Sequence, residues 1–269
     1  MPLLETSAGQ VAYDERGEGE PLVLLPAGAH ERRDFDELRA LLPQFRTIAI
    51  DWPGHGESPA APGPASAMAF ADAAEAAVAA LAPGGAVVVG NSVGGFSAAR
   101  LAVRRPELVR GLVLVDAGGF ATRTPLVRGF CAAMSRPAFL RRVYPAFAKR
   151  YMRARTEADR RALAAAVATV SEDPGLRVVA ELWGSFAAPE HDLRREAASI
   201  AAPTLVVWGR YDPVIPLRVG RKAADSIPGA ELLVLDSGHV PHTTDPGGFA
   251  AALIPFADAA LAAAAERAA

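Results

Sequence analysis

The chain has 269 residues, 51% of them apolar and 22% charged, which suits one large α/β domain carrying an insertion and excludes a disordered chain. A net charge of −2 gives no reason to expect nucleic acid, and a single cysteine, Cys131, excludes an intrachain disulfide. The first residues lack a basic n-region and a long apolar h-region, and no stretch reads as a bilayer span. The expected setting is therefore reduced and cytoplasmic, with no membrane or nucleic-acid partner; oligomeric state leaves no trace in the sequence.

Leu3 to Arg16 reads as two short strands around Ala8-Gly9. Pro21-Leu22-Val23-Leu24-Leu25 is an unbroken apolar run, the pattern of a central parallel strand covered on both faces. Asp34 to Leu42 carries Phe35, Leu38, Leu41 and Leu42 at helical spacing, with Asp34 placed to cap. Thr47 to Ile50 is the next strand and runs into the turn-rich loop Asp51-Trp52-Pro53-Gly54-His55-Gly56-Glu57-Ser58. An alanine-rich helix follows from Ser66 to Ala82. The run Val87-Val88-Val89 then meets Gly90-Asn91-Ser92-Val93-Gly94-Gly95 and a helix-compatible stretch to Arg105.

Leu112 to Val115 is another buried strand, ending in Asp116-Ala117-Gly118-Gly119. The next strand begins only near Thr204, too far for an ordinary connection. Thr156-Glu157-Ala158-Asp159 resembles a capping box, with Leu163, Val167 and Val170 continuing at helical spacing. Pro125, Pro137, Pro145, Pro174 and Pro189 divide the rest into short helices. Residues 119–202 thus read as a helical cap inserted into a core made of 1–118 and 203–269. Thr204 to Trp208, a helix from Pro216 to Ile227, Leu232 to Leu235 and a last helix from Asp245-Pro246 complete the alternation. The tail from Phe256 reads as a fraying surface helix. Strands alternating with helices predict a mostly parallel sheet with helices on both faces and ligands at the carboxyl ends of its strands.

Gly90-Asn91-Ser92-Val93-Gly94 is a G-x-S-x-G pattern between a strand and a helix, which pushes Ser92 out on a sharp turn. A serine hydroxyl needs a base, and the base needs an orienting acid. His239, after the strand ending at Leu235 and beside Gly238, is the candidate base; His242 competes with it. Asp212, in the loop Gly209 to Pro216, is the candidate acid, and Asp116 is its rival, with a turn or cap carboxylate as its plainer reading. His55 and Asp51 read as local loop-bonding groups. The i,i+3 pair His239 and His242 lacks a third ligand at metal spacing, so no metal is expected. Arg141, Arg142, Lys149, Arg150, Arg153 and Arg155 make part of the cap basic, read as a solvated face or as steering for an anionic substrate.

With these motifs the chain resembles the capped, cofactor-free α/β-hydrolases over nearly its whole length. The resemblance implies an eight-stranded, mostly parallel sheet, no cofactor, and a Ser92–Asp212–His239 triad. A serine at the elbow argues against the branches that resemble this fold but place aspartate there. The resemblance also implies an oxyanion hole of two backbone N–H groups: Val93, and one after the strand Leu22–Leu25. Relatives carry His-Gly there and this chain carries Pro26-Ala27, so Gly28 is the expected second donor, with Ala27 as alternative, since Pro26 has no N–H. Hydrolysis of a small carboxylic ester through an acyl-enzyme is the expected activity. Carbon–carbon hydrolysis of ring-fission diketones is the alternative, favoured by the Gly90-Asn91-Ser92 spelling and the Trp208-Gly209-Arg210 loop and opposed by Val240 where an aromatic is common. Perhydrolase side activity is compatible with the triad. A slow-turnover ligand receptor is the alternative of another class.

Overall fold

The apolar runs without alternation lie in the middle of one sheet. In the computed structural model, which describes residues 1–268, eight strands run in the order β1-β2-β4-β3-β5-β6-β7-β8. They are β1 (Leu3–Thr6), β2 (Gly9–Arg16), β3 (Pro21–Leu25), β4 (Arg46–Ile50), β5 (Ala86–Asn91), β6 (Val109–Val115), β7 (Thr204–Gly209) and β8 (Glu231–Leu235). β2 pairs antiparallel with β1 and β4, and every later pairing is parallel. β5 sits at the centre and is buried along its whole length, because helices cover both of its faces.

Alternate residues of these strands feed two apolar layers. Val88, Leu112, Leu114 and Val206 face α2 (Ala67–Leu81), α3 (Val93–Arg104) and α8 (Leu217–Ser226). Val87, Val89, Val113 and Val207 face α1 (Asp36–Arg39) and α10 (Pro246–Ala268). Ser66 caps α2 by accepting from the Ala69 N–H at 3.0 Å, as its place before the alanine run predicts.

Three expectations are corrected. The helix expected from Asp34 is a 3-10 turn over Arg32–Phe35 followed by the short α1, and Asp34 caps nothing because its carboxylate is engaged by His30 at 2.5 Å. Pro145 does not break a helix: it lies inside α5 (Pro137–Met152) on an exposed face, where water can serve the carbonyl that its ring leaves without a donor. The tail helix is long and apolar enough by length and composition to cross a membrane: it has 22 residues, and its most apolar 18-residue stretch has a mean hydropathy of 1.7. Phe249, Leu253, Ala257 and Leu261 pack on the sheet, so it is a core helix as far as Leu261 rather than a fraying one. Ala269, the end of that expected tail, lies outside the described residues.

Between β6 and β7 the chain leaves the sheet and forms α4 (Pro125–Met134), α5, α6 (Glu157–Ser171) and α7 (Gly175–Ser185). Leu140, Tyr144, Tyr151 and Met152 of α5 join Ala162 and Val170 of α6 and Val179 of α7 in a third apolar cluster. That cluster also contains Ala29 and Val240, from the loops beyond β3 and β8. The four helices therefore stand on the carboxyl ends of the parallel strands. The capping box at Thr156 forms as its sequence suggests, with the two Thr156–Asp159 bonds both at 3.0 Å.

Candidate active site

Ser92 follows the last residue of β5 at φ 56°, ψ −113°, a conformation that strains a non-glycine residue. Its backbone is held on three sides: the Ser92 N–H donates to the Val115 carbonyl at 2.9 Å, and its own carbonyl accepts from Phe96 at 3.0 Å and Gly118 at 2.8 Å. The elbow tolerates no side chain at its flanks, since a Cβ on Gly94 would lie 2.2 Å from the Leu25 carbonyl oxygen and one on Gly90 would lie 2.2 Å from that of Gly94. Ser92 itself is partly exposed between buried neighbours, at the positive end of the α3 dipole.

His239 and Asp212 meet across the ends of β8 and β7, with Nδ1 2.6 Å from Oδ2. Asp212 is fixed by its other oxygen, which accepts from Val214 at 2.7 Å and Ile215 at 3.1 Å. A carboxylate at Nδ1 assigns the proton to that nitrogen and leaves Nε2 as the acceptor. Among the described residues the Ser92 hydroxyl makes no hydrogen bond to His239, a contact that commonly tightens only when substrate is bound. Two groups outside the predicted site hold the histidine's backbone. Asn91 donates its side-chain N–H to the His239 carbonyl at 3.0 Å and to that of Val115 at 3.0 Å. The His239 N–H donates to the Tyr151 carbonyl of α5 at 2.9 Å, and the Tyr151 ring stands edge-on to the imidazole at 5.7 Å. Gly238 is required by that approach, since a Cβ there would come within 1.9 Å of the Tyr151 oxygen.

Val93, the first residue of α3, has no intrahelical acceptor for its N–H. The Gly28 Cα faces it, as a Cβ built there would lie 4.0 Å from Val93 Cγ1 and 2.7 Å from Leu182 of α7. In the same loop the Ala29 N–H is engaged by His55 Nε2 at 2.9 Å, which leaves Ala27 and Gly28 as the loop's candidate donors. Burial pushes His55 down to about 4, so it is the neutral acceptor this bond needs.

The remaining polar groups are buttresses. Asp51 is buried against Arg32 and also accepts from the Arg32 N–H at 2.8 Å and the Glu57 N–H at 3.0 Å. His30, held by Asp34, meets the Tyr151 hydroxyl at 2.8 Å, and that hydroxyl lies 2.8 Å from Tyr144 Oη. Burial raises both phenols above their ordinary range, which keeps them neutral. Asp159 of the capping box also accepts from Thr243 at 2.7 Å and Thr244 at 3.0 Å, in α9 (Pro241–Thr244) just past His239. Burial acts to raise the Asp159 carboxyl, but the bonds from Arg155, Thr156, Thr243 and Thr244 outweigh it and hold the group below its ordinary value. His242 is stacked on Phe35 at 4.3 Å with Phe249 beside it, away from Asp212, and burial pushes it down to about 3. Asp116 is fully buried near the dyad: ligand atoms of Asp116, Asp212 and His239 all lie within 4.8 Å of one another. A cation there would have to replace the proton that His239 Nδ1 shares with Asp212.

Of these groups the sequence marks His55 and Asp51 as local bonding residues but not the Ala29 contact. It gives no sign of Asn91, Tyr151 or Leu182 beyond adjacency to Ser92 for the first. The i,i+4 spacing of His30 and Asp34 is the one signal that a close reading could use.

A family model described as the alpha/beta hydrolase fold matches residues 20–246. The chain belongs to the α/β-hydrolase fold family. Among its relatives, this α/β-hydrolase is 29% identical over 228 residues to the pimeloyl-(acyl-carrier protein) methyl ester esterase of Yersinia pseudotuberculosis, a match covering 81% of this chain and 85% of the relative. An N-acyl homoserine lactone degrading enzyme superposes with a TM-score of 0.80 at 29% identity, covering 95% of this chain and 100% of the other. The enol-lactonase of Burkholderia xenovorans shares the fold, with a TM-score of 0.83 at 24% identity, covering 95% and 99% of the two chains. The chain is thus a hydrolase of esterase-like type.

Proposed function

We propose that the protein hydrolyses small carboxylic esters, lactones included, through an acyl-enzyme. The observation that carries this reading is the His239–Asp212 contact of 2.6 Å beyond the strand ends that carry the Ser92 elbow. His239 Nε2 takes the Ser92 proton as Oγ attacks the acyl carbon, and Asp212 stabilises the imidazolium. The Val93 and Gly28 N–H groups receive the developing oxyanion, where each donor contributes about 2.7–4 kcal/mol. His239 then protonates the departing alcohol and activates the water that releases the acid. The two relatives at 29% identity support an ester class of substrate, since a methyl ester and a lactone present the same carbonyl to the serine.

Residues 119–202 act in this reading as a cap that supplies the substrate wall. No cofactor or metal enters the mechanism, and the setting is the reduced cytoplasm. A panel of p-nitrophenyl esters of rising acyl length, N-acyl homoserine lactones and a coloured dienol ring-fission product tests the class. Turnover of esters or lactones with little on the dienol is expected; the reverse ranking contradicts the ester reading in favour of carbon–carbon hydrolysis.

A further inference from the structure

Asp116 stands at the end of β6 with φ 43°, a left-handed conformation that a non-glycine residue adopts at a penalty. The turn sends its carboxyl under the β7 end, where both oxygens take one donor, the Gly209 N–H, at 3.0 and 3.2 Å. The side chain is fully buried. Asp212 faces it from the loop after β7 and His239 from the loop after β8. No lysine or arginine pairs with Asp116 among the described residues. Asp212 has two backbone N–H groups and an imidazole to carry its charge, whereas Asp116 has one shared N–H. Two carboxylates this close and this dry cannot both be ionised, so the better-solvated one keeps the charge and the other keeps a proton.

We propose that Asp116 is a positioning residue that remains protonated and donates an O–H hydrogen bond to the Asp212 carboxylate, fixing the acid that orients His239. The proposal rests on the triad reading above. Burial first, then the neighbouring Asp212 charge and its hydrogen bond, raise the Asp116 carboxyl well above its ordinary value, in the same direction. The bond does two things for the site. It stops Asp212 from rotating off His239 Nδ1, and it disperses the charge that Asp212 would otherwise turn wholly on the imidazolium.

The first test needs no turnover. An infrared difference spectrum of wild type minus Asp116→Asn at neutral pH is expected to contain the carbonyl stretch of a protonated carboxylic acid, and its absence overturns the proposal. The second uses p-nitrophenyl ester hydrolysis. Asp116→Asn keeps a neutral donor and is expected to hold kcat within about 3-fold, whereas Asp116→Ala lowers kcat about 10-fold at unchanged KM and moves the acidic limb of the rate profile to higher pH. If Asp116→Asn loses as much as Asp212→Asn, Asp116 is the charged acid and the proposal fails. EDTA-sensitive activity restored by a divalent ion would make the three residues a metal site and likewise overturns it. Failure of the triad reading looks different: Ser92→Ala and Asp212→Asn then leave turnover intact while the infrared band persists.

Discussion

The Asn91 amide donates to the carbonyl of His239, linking the residue before Ser92, the proposed nucleophile, to the backbone of the proposed base. The same amide bonds the Val115 carbonyl, so one buried side chain gathers β5, β6 and the β8 loop at a single point. The Ser92–His239 separation is therefore set from inside the sheet as well as from α5, through Tyr151.

Asn91→Ala removes both bonds and strips the buried His239 carbonyl of this donor, a loss of about 1–3 kcal/mol, while the Val115 carbonyl keeps the Ser92 N–H. The histidine loop also gains freedom, and displacement of a catalytic group by 1 Å costs about 100-fold in rate. The expected outcome is a kcat 10- to 100-fold lower, KM little changed, and a lower urea midpoint. Steady-state kinetics beside denaturant titration read both, and an unchanged kcat would detach Asn91 from the site.

Leu182 sets the room beside the proposed oxyanion donor. Its Cδ2 stands where a Cβ on Gly28 would clash, at 2.7 Å, and α7 is tied down by the Ala67 N–H to Ser185 bond at 3.1 Å and the Ala65 N–H to Glu181 bond at 2.7 Å. Leu182→Ala opens this wall. Each methylene admitted to an apolar pocket is worth about 1–3 kcal/mol of discrimination, so the kcat/KM ratio of long to short acyl esters is expected to rise about 10-fold or more. An unaltered chain-length profile would place the acyl group elsewhere.

Two buried histidines make the fold acid-sensitive. His55 titrates near 4 and His242 near 3, both held down by burial, against about 6.5 in the unfolded chain. As pH falls below 6.5 the unfolded state takes up protons that the native state refuses, so stability drops with pH until the native values are reached. Between pH 6.5 and 5 the pair costs on the order of 3 kcal/mol, since each group starts half protonated in the unfolded chain and approaches about 1.4 kcal/mol per pH unit only below that. His242→Leu keeps an apolar body between Phe35 and Phe249 and is expected to remove about half of that dependence. Urea midpoints at several pH values test this, and equal slopes in variant and wild type would contradict it.

Much of this arrangement is legible in the amino-acid sequence. The strand runs at Leu22, Val87 and Leu112, the elbow at Ser92, and the placement of Asp212 and His239 past later strands all follow from local patterns with definite periods. What local patterns miss is long-range. Nothing local tells that Asp34 will turn to His30 instead of capping a helix, that Asn91 will reach His239 across 148 positions, or that Asp159 will bond Thr243 across 84. Pro145 misleads because a proline on an exposed helix face is tolerated, and the tail helix because alanine carries no clear face. Asp116 is the sharpest case: as a sequence it is a turn carboxylate, and only the parallel register of β6 and β7 brings it beneath Asp212.

The most direct measurement is covalent labelling by a fluorophosphonate, read by intact mass and peptide mapping alongside p-nitrophenyl ester turnover. Wild type is expected to gain one adduct, on Ser92, and to lose activity in step with labelling, while Ser92→Ala gains none and falls to the background rate. Undiminished turnover in Ser92→Ala, or an adduct on another residue that tracks inactivation, would contradict the account.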